Sequence, residues 1–139
     1  MTEKSVTKPI RPTINDVNRP FWDGCTHGKL LVQRCTQCGF RRYPAAGACP
    51  KCLSPGAEWE PLSGRGKVFS FIVFHRAYHP AWESKVPYVV AMIELDEGPM
   101  MMSNVVGVDP AALKVDDAVI VAFEALDEGL AMPVFKPAR

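Results

Sequence analysis

The sequence of 139 residues has little excess charge of either sign and no long apolar run. Its formal net charge is +1, so the chain lacks the strong positive field that drives sequence-independent binding of nucleic acids. It contains no run of about 18 apolar residues, the length that a membrane-spanning helix needs. Residues 1–14 include no apolar signal core. We therefore expect a cytoplasmic protein that does not enter a membrane.

The overall composition is that of an ordinary globular protein. Hydrophobic residues make up 47% and charged residues 22% of the chain, which argues against disorder over most of its length. A chain of this size can bury one substantial core. Residues 1–17 differ from the rest because they are mostly polar, contain Pro9 and Pro12 and show no apolar period. We expect them to form a flexible N-terminal arm.

A short helix and a short strand are predicted after the arm. Asn18 can cap a helix whose first turn contains Pro20, and Gly28 is placed to end it. Residues 29–35, KLLVQRC, then run as a strand into the first pair of cysteines. Residues 54–67 are rich in turn-forming residues and predict a linker with a brief extended segment around Trp59.

Four of the five cysteines form two C-x-x-C pairs separated by ten residues: Cys35, Cys38, Cys49 and Cys52. Two intervening residues let one tight turn aim both sulfurs at a common point, and two such turns complete a tetrahedron of thiolates around zinc. Gly39 suits the positive φ that such a turn requires. Four thiolates leave no open position for water, so the predicted Zn²⁺ is structural. A redox-active iron bound by the same four sulfurs is the alternative.

The second half of the chain has the pattern of a small β barrel. Its apolar segments are separated by turn signals, and the first is apolar at nearly every position, which predicts a strand covered on both faces. Five antiparallel strands with one short helical insertion fit a partly open Greek-key barrel of the OB type, although a small sandwich is also compatible. The predicted strands are residues 67–76, 87–95, 100–108, 118–126 and 131–137.

Turn chemistry supports this division of the β region. The sequence LDEG occurs at residues 95–98 and again at 126–129, and Gly98 and Gly129 can take the left-handed conformation that closes a hairpin with a bulge. We place the domain boundary so that residues 18–62 form the helix and the cysteine module, and residues 63–139 form the barrel.

Basic and methionine residues are candidates for binding. Arg41 and Arg42 lie in the ten-residue loop between the cysteine pairs, as a solvated tip or as an edge that meets phosphates. Arg65 and Lys67 flank Gly66, either in a flexible hinge or, with the first two arginines, facing the phosphates of coenzyme A. The methionines at 100–102 either fill the core or offer an adaptable interface.

Catalytic groups are harder to find. Cys25 shares the predicted helix face with Phe21, which favours a role as an apolar core residue, and His27 lies only two positions further on, so the two side chains point apart. His75 and His79 lack a nearby serine, cysteine or carboxylate pair that would complete a catalytic set. We expect them in a strand end and a loop, with contact to a ligand or partner as the alternative.

Several motifs in order resemble one known family. The run PFWDG, then GKLLVQRCTQCG, CPKCLS, EWEPLSGRGKVFSF, PYVVAMIELDEGPMMMSNVVGVDP and MPVFKP together resemble the "domain of unknown function 35" family over residues 18–137. The resemblance implies an N-terminal helix, a rubredoxin-like zinc ribbon with the four cysteines as ligands, and an OB-fold barrel. One departure is VDDAV, where Asp116 or Asp117 stands in place of a frequent glycine; aspartate tolerates left-handed φ better than most residues.

The same resemblance implies a function. Members of that family are similar to accessory subunits of thiolase-like enzymes, aldolases or hydratases that act on acyl-CoA thioesters. The chain is therefore expected to be a non-catalytic scaffold that binds acyl-CoA, docks such an enzyme, or does both. A module that binds single-stranded nucleic acid is the competing hypothesis, because zinc ribbons and OB barrels also serve that role, and the near-neutral charge counts against it. An enzyme that acts alone on a thioester is a third.

Overall fold

A computed structural model of the chain describes residues 10–127 and 129–138. It is mainly β, with one short α-helix, as predicted. In chain order the elements are α1 (Arg19–Thr26), β1 (Leu30–Cys35), β2 (Arg41–Arg42), β3 (Ala57–Leu62), β4 (Arg65–Phe74), a first 3-10 helix (Pro80–Trp82), β5 (Tyr88–Leu95), β6 (Met100–Val105), a second 3-10 helix (Pro110–Ala112), β7 (Ala118–Asp127) and β8 (Leu130–Pro137).

Helix α1 begins and ends where the sequence predicts. Asn18 occupies the N-cap position and Pro20 lies in the first turn. The Asn18 side chain does not cap the helix; its amide Nδ2 donates to the carbonyl of Thr13. Gly28 follows the helix with φ +77°. No helix in the described ranges is long and apolar enough to cross a membrane. The predicted arm at 1–17 falls partly on residues 1–9, outside the described ranges.

The cysteine module is built on a three-stranded antiparallel sheet with the order β2-β1-β3. Strand β3 pairs with β1 along its whole length, from Leu30 opposite Leu62 to Cys35 opposite Ala57. The predicted extended segment around Trp59 is confirmed as part of β3, but the prediction of a linker is wrong. Turn-forming residues on both sides of this segment suggested a loop, but backbone hydrogen bonds to β1 hold the segment as a strand.

The second half forms a closed barrel of five strands with the order β4-β5-β6-β8-β7. The barrel closes where residues 65–67 of β4 pair with residues 118–120 of β7. The strand pairing with the fewest residue pairs is that of β6 and β8, which run parallel and pair only Val105 with Phe135. The five predicted strands are confirmed, but the β6–β8 pairing is parallel where antiparallel strands were predicted, and the barrel is closed where the sequence suggested a partly open one.

One apolar core fills the barrel and extends to helix α1. Val68, Ile93, Met101 and Phe135 are completely buried inside it. Phe21, Cys25 and Leu30 belong to the same cluster, so the helix and the start of β1 pack on the barrel. The domain boundary at 62/63 stays a prediction; it lies between the end of β3 at Leu62 and the start of β4 at Arg65.

Two expectations about β4 are wrong. Phe69 and Ile72 are 54% and 56% exposed, so the strand is covered on one face only, because a barrel wall is a single layer with a solvent side. Gly64 and Gly66 are buried rather than part of a solvated hinge. A Cβ added at Gly66 would lie 2.6 Å from the carbonyl oxygen of Glu94, so glycine here permits close packing of β4 on β5.

The predicted turns are confirmed. Gly98 and Gly129 have φ of +117° and +73°, and Asp116 has φ +75°. Asp116 therefore takes the left-handed conformation expected at the position where the family often has glycine. Its backbone N–H donates to the carbonyl of Val68, and the Val68 N–H donates to the carbonyl of Asp117. This turn helps to close the barrel between β4 and β7.

Candidate functional site

Two backbone turns of the same design carry the four cysteines. In the first, the amide of Gly39 donates to the carbonyl of Cys35, and in the second the amide of Leu53 donates to the carbonyl of Cys49. The amides two residues after Cys35 and Cys49 also donate to the respective Sγ atoms, each at 3.4 Å. Amide donors stabilise the thiolate form of a cysteine, which is the form that binds a metal.

The four sulfurs converge on one point. All four Sγ atoms of Cys35, Cys38, Cys49 and Cys52 lie within 4.8 Å of one another. The Sγ atoms of Cys35 and Cys52 are 3.5 Å apart, and those of Cys38 and Cys49 are 3.6 Å apart. A tetrahedron with zinc–sulfur bonds of about 2.3 Å has edges of about 3.8 Å. The donor set therefore fits a four-coordinate metal, as the spacing of the cysteines predicts.

Backbone amides favour the thiolate form of Cys35. The backbone amide of Cys38, followed by that of Gln37, lowers the pKa of Cys35 to about 6, although burial opposes this shift. At Cys25 burial is the dominant influence instead, and it raises the pKa of that thiol to about 12. Cys25 is therefore a neutral thiol in the core, consistent with the apolar role predicted for it.

Leu53 is the unusual residue of the second turn. It occupies the position that Gly39 has in the first turn and has φ +67°. Left-handed backbone costs roughly 1–2 kcal/mol for a residue with a Cβ. Its side chain is 77% exposed, so packing does not offset this strain. The sequence hints at it, because the second cysteine pair is not followed by glycine.

The two arginines of the ten-residue loop are not a solvated tip. Arg42 is 3% exposed; its Nε donates to Gln33 Oε1 at 2.9 Å and its second guanidinium nitrogen to the carbonyl of Ala46 at 3.2 Å. Arg41 is half-buried, and its Nε donates to Glu60 Oε1 at 2.6 Å. In this arrangement Arg42 offers no surface to a phosphate, and Arg41 is held by a carboxylate.

Arg65 and Lys67 lie on the outer side of β4, two positions apart. Arg65 is exposed, and the ammonium of Lys67 is 3.9 Å from carboxylate oxygens of both Glu94 and Asp116. Such exposed pairs contribute little to stability and are readily exchanged for another anion. Arg42 is not part of a surface cluster with these two cations, because it is buried.

The histidines occupy the loop after β4. Both His75 and His79 are exposed. His79 caps the first 3-10 helix, because its Nδ1 accepts from the amide of Ala81 at 3.0 Å. The structural role predicted for this loop accounts for His79 without a catalytic function.

An exposed apolar surface on the barrel was only partly predicted from the sequence. In β5, Val90 pairs with Ile72 and Met92 pairs with Met102 of β6, so these side chains share the outward face. Phe69 is exposed at an irregularity of β4. These five residues, here named the outer β4–β6 face, include Met102 at 63% exposure, whereas its neighbour Met101 is buried. The core role is confirmed for Met101, and the adaptable interface stays a prediction for Met102.

Two family profiles match consecutive parts of the chain. The profile described as "ChsH2, rubredoxin-like zinc ribbon domain" matches residues 22–58, and that described as "ChsH2, C-terminal OB-fold domain" matches residues 59–124. A solved structure described as "Ltp2-ChsH2(DUF35) aldolase" is similar with a TM-score of 0.85 and 37% identity, covering 93% of this chain and 100% of that one.

Curated relatives extend the comparison. A "Probable enoyl-CoA hydratase alpha subunit" of Thermomonospora curvata is 37% identical over 99% of this chain, which spans only 44% of that protein. A "Benzoylsuccinyl-CoA thiolase subunit BbsA" of Thauera aromatica is 33% identical over 65% of this chain and 60% of its own. A "DUF35 domain-containing scaffold protein" of Methanothermobacter thermautotrophicus is 36% identical over 71% of this chain and 74% of its own.

Homologues of the chain are thus scaffold proteins or subunits of hydratase, thiolase and aldolase assemblies. The matched profiles, the sulfur geometry and the closed barrel agree with one another along the chain. The chain belongs to the DUF35 family and combines a ChsH2-type rubredoxin-like zinc ribbon with a ChsH2-type OB-fold domain.

Proposed function

We propose that this protein is a non-catalytic accessory subunit that docks an enzyme acting on acyl-CoA thioesters, of the hydratase, aldolase or thiolase type. The observation that carries the proposal is the similarity of nearly the whole chain to the ChsH2(DUF35) chain of an aldolase. The names of the hydratase and thiolase subunits among its relatives support the same class of partner.

The docking surface in this proposal is the outer β4–β6 face. Contiguous exposed apolar side chains on a soluble protein mark a surface that another molecule covers. Ile72 and Met102 are exposed, and the half-buried Val90 and Met92 pair with them across three strands. Methionine is suited to such a surface because its flexible side chain adapts to the partner.

The metal in this proposal is a structural Zn²⁺. Cys35, Cys38, Cys49 and Cys52 would hold it, and a saturated tetrahedron leaves it no position for a reacting water. Its contribution is folding free energy for the small ribbon. The ribbon then presents a rigid sheet on one side of the barrel.

A contact with the CoA moiety is a finer part of the proposal. Arg65 and Lys67 are the best placed of the four predicted basic residues, because both are on the outside of β4 next to the docking surface. An arriving phosphate would compete with Glu94 and Asp116 for Lys67. Arg41 contributes only if Glu60 releases it, and Arg42 only if the ribbon rearranges.

Docking is tested by disrupting the outer face with charge. A tagged Ile72→Glu/Met102→Glu protein and the tagged wild type are each incubated with lysate of the native host and recovered by the tag. The bound proteins are then separated by gel filtration and identified by mass spectrometry. The wild type should retain an acyl-CoA enzyme at a fixed ratio, and the double variant should lose it at least about tenfold, since a buried unpaired charge costs several kcal/mol. Val17→Glu is the matched control, because Val17 is 41% exposed and lies before α1, outside strands β4 to β6.

The possible results separate the parts of the proposal. If the double variant retains the enzyme, the docking surface lies elsewhere on the chain. A wild-type protein that retains no such enzyme would overturn the accessory role. Retention of single-stranded nucleic acid, with affinity that falls steeply as salt rises, would favour the competing binding module instead.

A further inference from the structure

The two cysteine turns of the ribbon share their backbone hydrogen bonds but differ in the residue at one position. The amide of Gly39 donates to the carbonyl of Cys35 at 2.9 Å, and the amide of Leu53 donates to the carbonyl of Cys49 at 2.8 Å. Gly39 has φ +78° and Leu53 has φ +67°. Glycine takes this conformation without steric cost, and leucine does not. Since glycine satisfies the first turn, metal binding does not explain the leucine in the second.

The side chain of Leu53 lies mostly in solvent. It is 77% exposed, the largest exposed fraction among the large hydrophobic residues in the described ranges. Leu53 therefore combines a backbone conformation that disfavours leucine with an apolar side chain left in water. Departures of this kind from local preference are concentrated at functional sites.

The metal-binding turn holds Leu53 in a fixed place. Cys52, directly before it, is one of the four residues whose sulfurs converge. The carbonyl of Ser54, directly after it, accepts from the amide of Cys49 at 2.8 Å. A side chain presented from a rigid turn loses less conformational entropy on binding than one on a flexible loop. The turn thus presents Leu53 in a way that suits insertion into a partner.

The outer β4–β6 face is too small to be a complete interface. A stable interface buries about 800 Å² on each partner. Even an aromatic side chain buries only about 150–250 Å², so five side chains at about half exposure provide roughly 500 Å². The most exposed of the five is Met102, at 63%. An enzyme that docks on this face therefore has to contact a further region of the chain.

The ribbon is fixed beside the strands that carry this face. Arg41 of β2 donates to the carbonyl of Glu97, in the turn between β5 and β6. Glu97 Oε2 accepts from the amide of Ser63, between β3 and β4. Since β5 and β6 carry Met92 and Met102, a partner that extends beyond the outer face at this turn meets the ribbon.

We propose that Leu53 is an apolar anchor that inserts into an apolar pocket of the enzyme docked on the outer β4–β6 face. The inference rests on the proposed function, because the occupant is that enzyme. It gives the ribbon a direct contact with the partner in addition to its structural metal. The strain at Leu53 is then the result of presenting a side chain whose burial comes only in the complex.

The test uses the acyl-CoA enzyme that the wild type retains from host lysate, produced separately and purified. Its dissociation constant from immobilised, metal-loaded protein is measured by biolayer interferometry. Leu53→Gly removes the side chain, and Leu53→Asn makes it polar in a residue that tolerates left-handed backbone. Both should weaken binding about ten- to a hundredfold, the range for one buried aliphatic side chain. Leu53→Met keeps an apolar side chain and should stay within about threefold of the wild type.

Val17→Asn is the matched control, because it makes the same change at an exposed aliphatic residue outside the ribbon and the barrel strands. Val17 is 41% exposed and lies before α1, so binding should be unchanged. Transfer of the metal to a chelator separates a contact from a structural role. Leu53→Gly should hold the metal at least as long as the wild type while it binds the enzyme more weakly.

The results distinguish the anchor from the function on which it rests. If the wild type retains no acyl-CoA enzyme, the proposed function and the anchor are both wrong. If the enzyme binds Leu53→Gly and Leu53→Asn as tightly as the wild type, only the anchor is wrong. Weaker binding of Leu53→Gly together with faster loss of its metal would also overturn the anchor, since the turn itself would then depend on leucine.

Discussion

The zinc ribbon and the barrel of this protein bury very different kinds of side chain. The barrel core is a continuous apolar cluster built around Val68, Ile93, Met101 and Phe135. In the ribbon the buried side chains include metal-ligating cysteines, and the two buried polar residues of the described chain, Gln33 and Arg42, are both there. The barrel is thus held by the hydrophobic effect, and the ribbon by directional bonds.

This difference follows from size. Modules below about 40 residues cannot bury enough apolar surface to fold on that basis alone, and a bound metal commonly compensates. The ribbon sheet lies within residues 30–62, whereas β4 to β8 extend from 65 to 137. Helix α1 packs on both regions, since Phe21 and Cys25 share one apolar cluster with Leu30 of β1 and with the barrel core. The grouping of the helix with the ribbon stays a prediction.

The largest expected effect is loss of the metal. Cys49→Ser should remove it and unfold the β1–β3 sheet, because binding of a structural zinc is worth about 10–16 kcal/mol in small ribbons and fingers. The barrel amides should stay protected. Metal content by mass spectrometry and hydrogen exchange by NMR measure both. Cys25→Ala is the control with the fifth cysteine, which should keep one metal per chain. Protected β1–β3 amides in metal-free Cys49→Ser protein would contradict the comparison.

The second prediction concerns a large-to-small substitution in the barrel core. Phe135→Ala should lower the free energy of unfolding by about 3–5 kcal/mol, because it leaves a cavity in the core. The native protein should still bind one metal. Urea denaturation of the metal-loaded protein measures the loss. Phe69→Ala, at an exposed phenylalanine on β4, should change stability by about 0.5 kcal/mol or less. Equal losses in the two variants would show that the barrel core is not built around Phe135.

Among the described residues, each region has one non-glycine residue with positive φ, which allows a paired test. Leu53 in the ribbon and Asp116 in the barrel both have positive φ. Replacement of either by glycine should stabilise its own region by about 0.5–1 kcal/mol, since relief of strain exceeds the added entropy of the unfolded chain. Leu53→Gly should slow loss of the metal to a chelator, and Asp116→Gly should raise the urea midpoint. Faster metal loss from Leu53→Gly would rule out strain at that turn.

The smallest expected effect is at the junction of the two regions. Arg41 bonds Glu60 of β3 and also donates to the carbonyl of Glu97, in the turn between β5 and β6. Glu60→Gln should cost at most about 1 kcal/mol at pH 7, because the pair is partly exposed. Urea midpoints in low salt and in about 1 M NaCl measure it, and the difference should shrink in high salt.

The pH dependence of this pair has a definite sign. Hydrogen bonding to Arg41 holds the pKa of Glu60 below its usual 4.5. The stabilisation is therefore fully present above pH 4.5 and fades only as the pH falls through the lowered pKa. The difference between wild type and Glu60→Gln should be the same at pH 7 and at about pH 5.5. A difference that disappears by about pH 5.5 would place Glu60 outside the ion pair.

The metal site, the number of barrel strands and most of their turns can be read from the sequence alone. The reason is that these are local features. C-x-x-C spacing aims two sulfurs from one turn, glycine and aspartate permit positive φ at Gly98 and Asp116, and alternation within one strand separates Met101 from Met102.

Which segments meet is settled by the packing of the whole chain. The sequence around β3 predicted a linker, but β3 is ordered by its hydrogen bonds to β1. Arg42 was predicted at a solvated loop tip or a phosphate-binding edge, but it is buried and bonds Gln33 and Ala46. The apolar run of β4 did not predict that Phe69 and Ile72 face solvent. Their exposure depends on which face of β4 points into the barrel core. Burial is a property of the three-dimensional arrangement, and no window of sequence contains it.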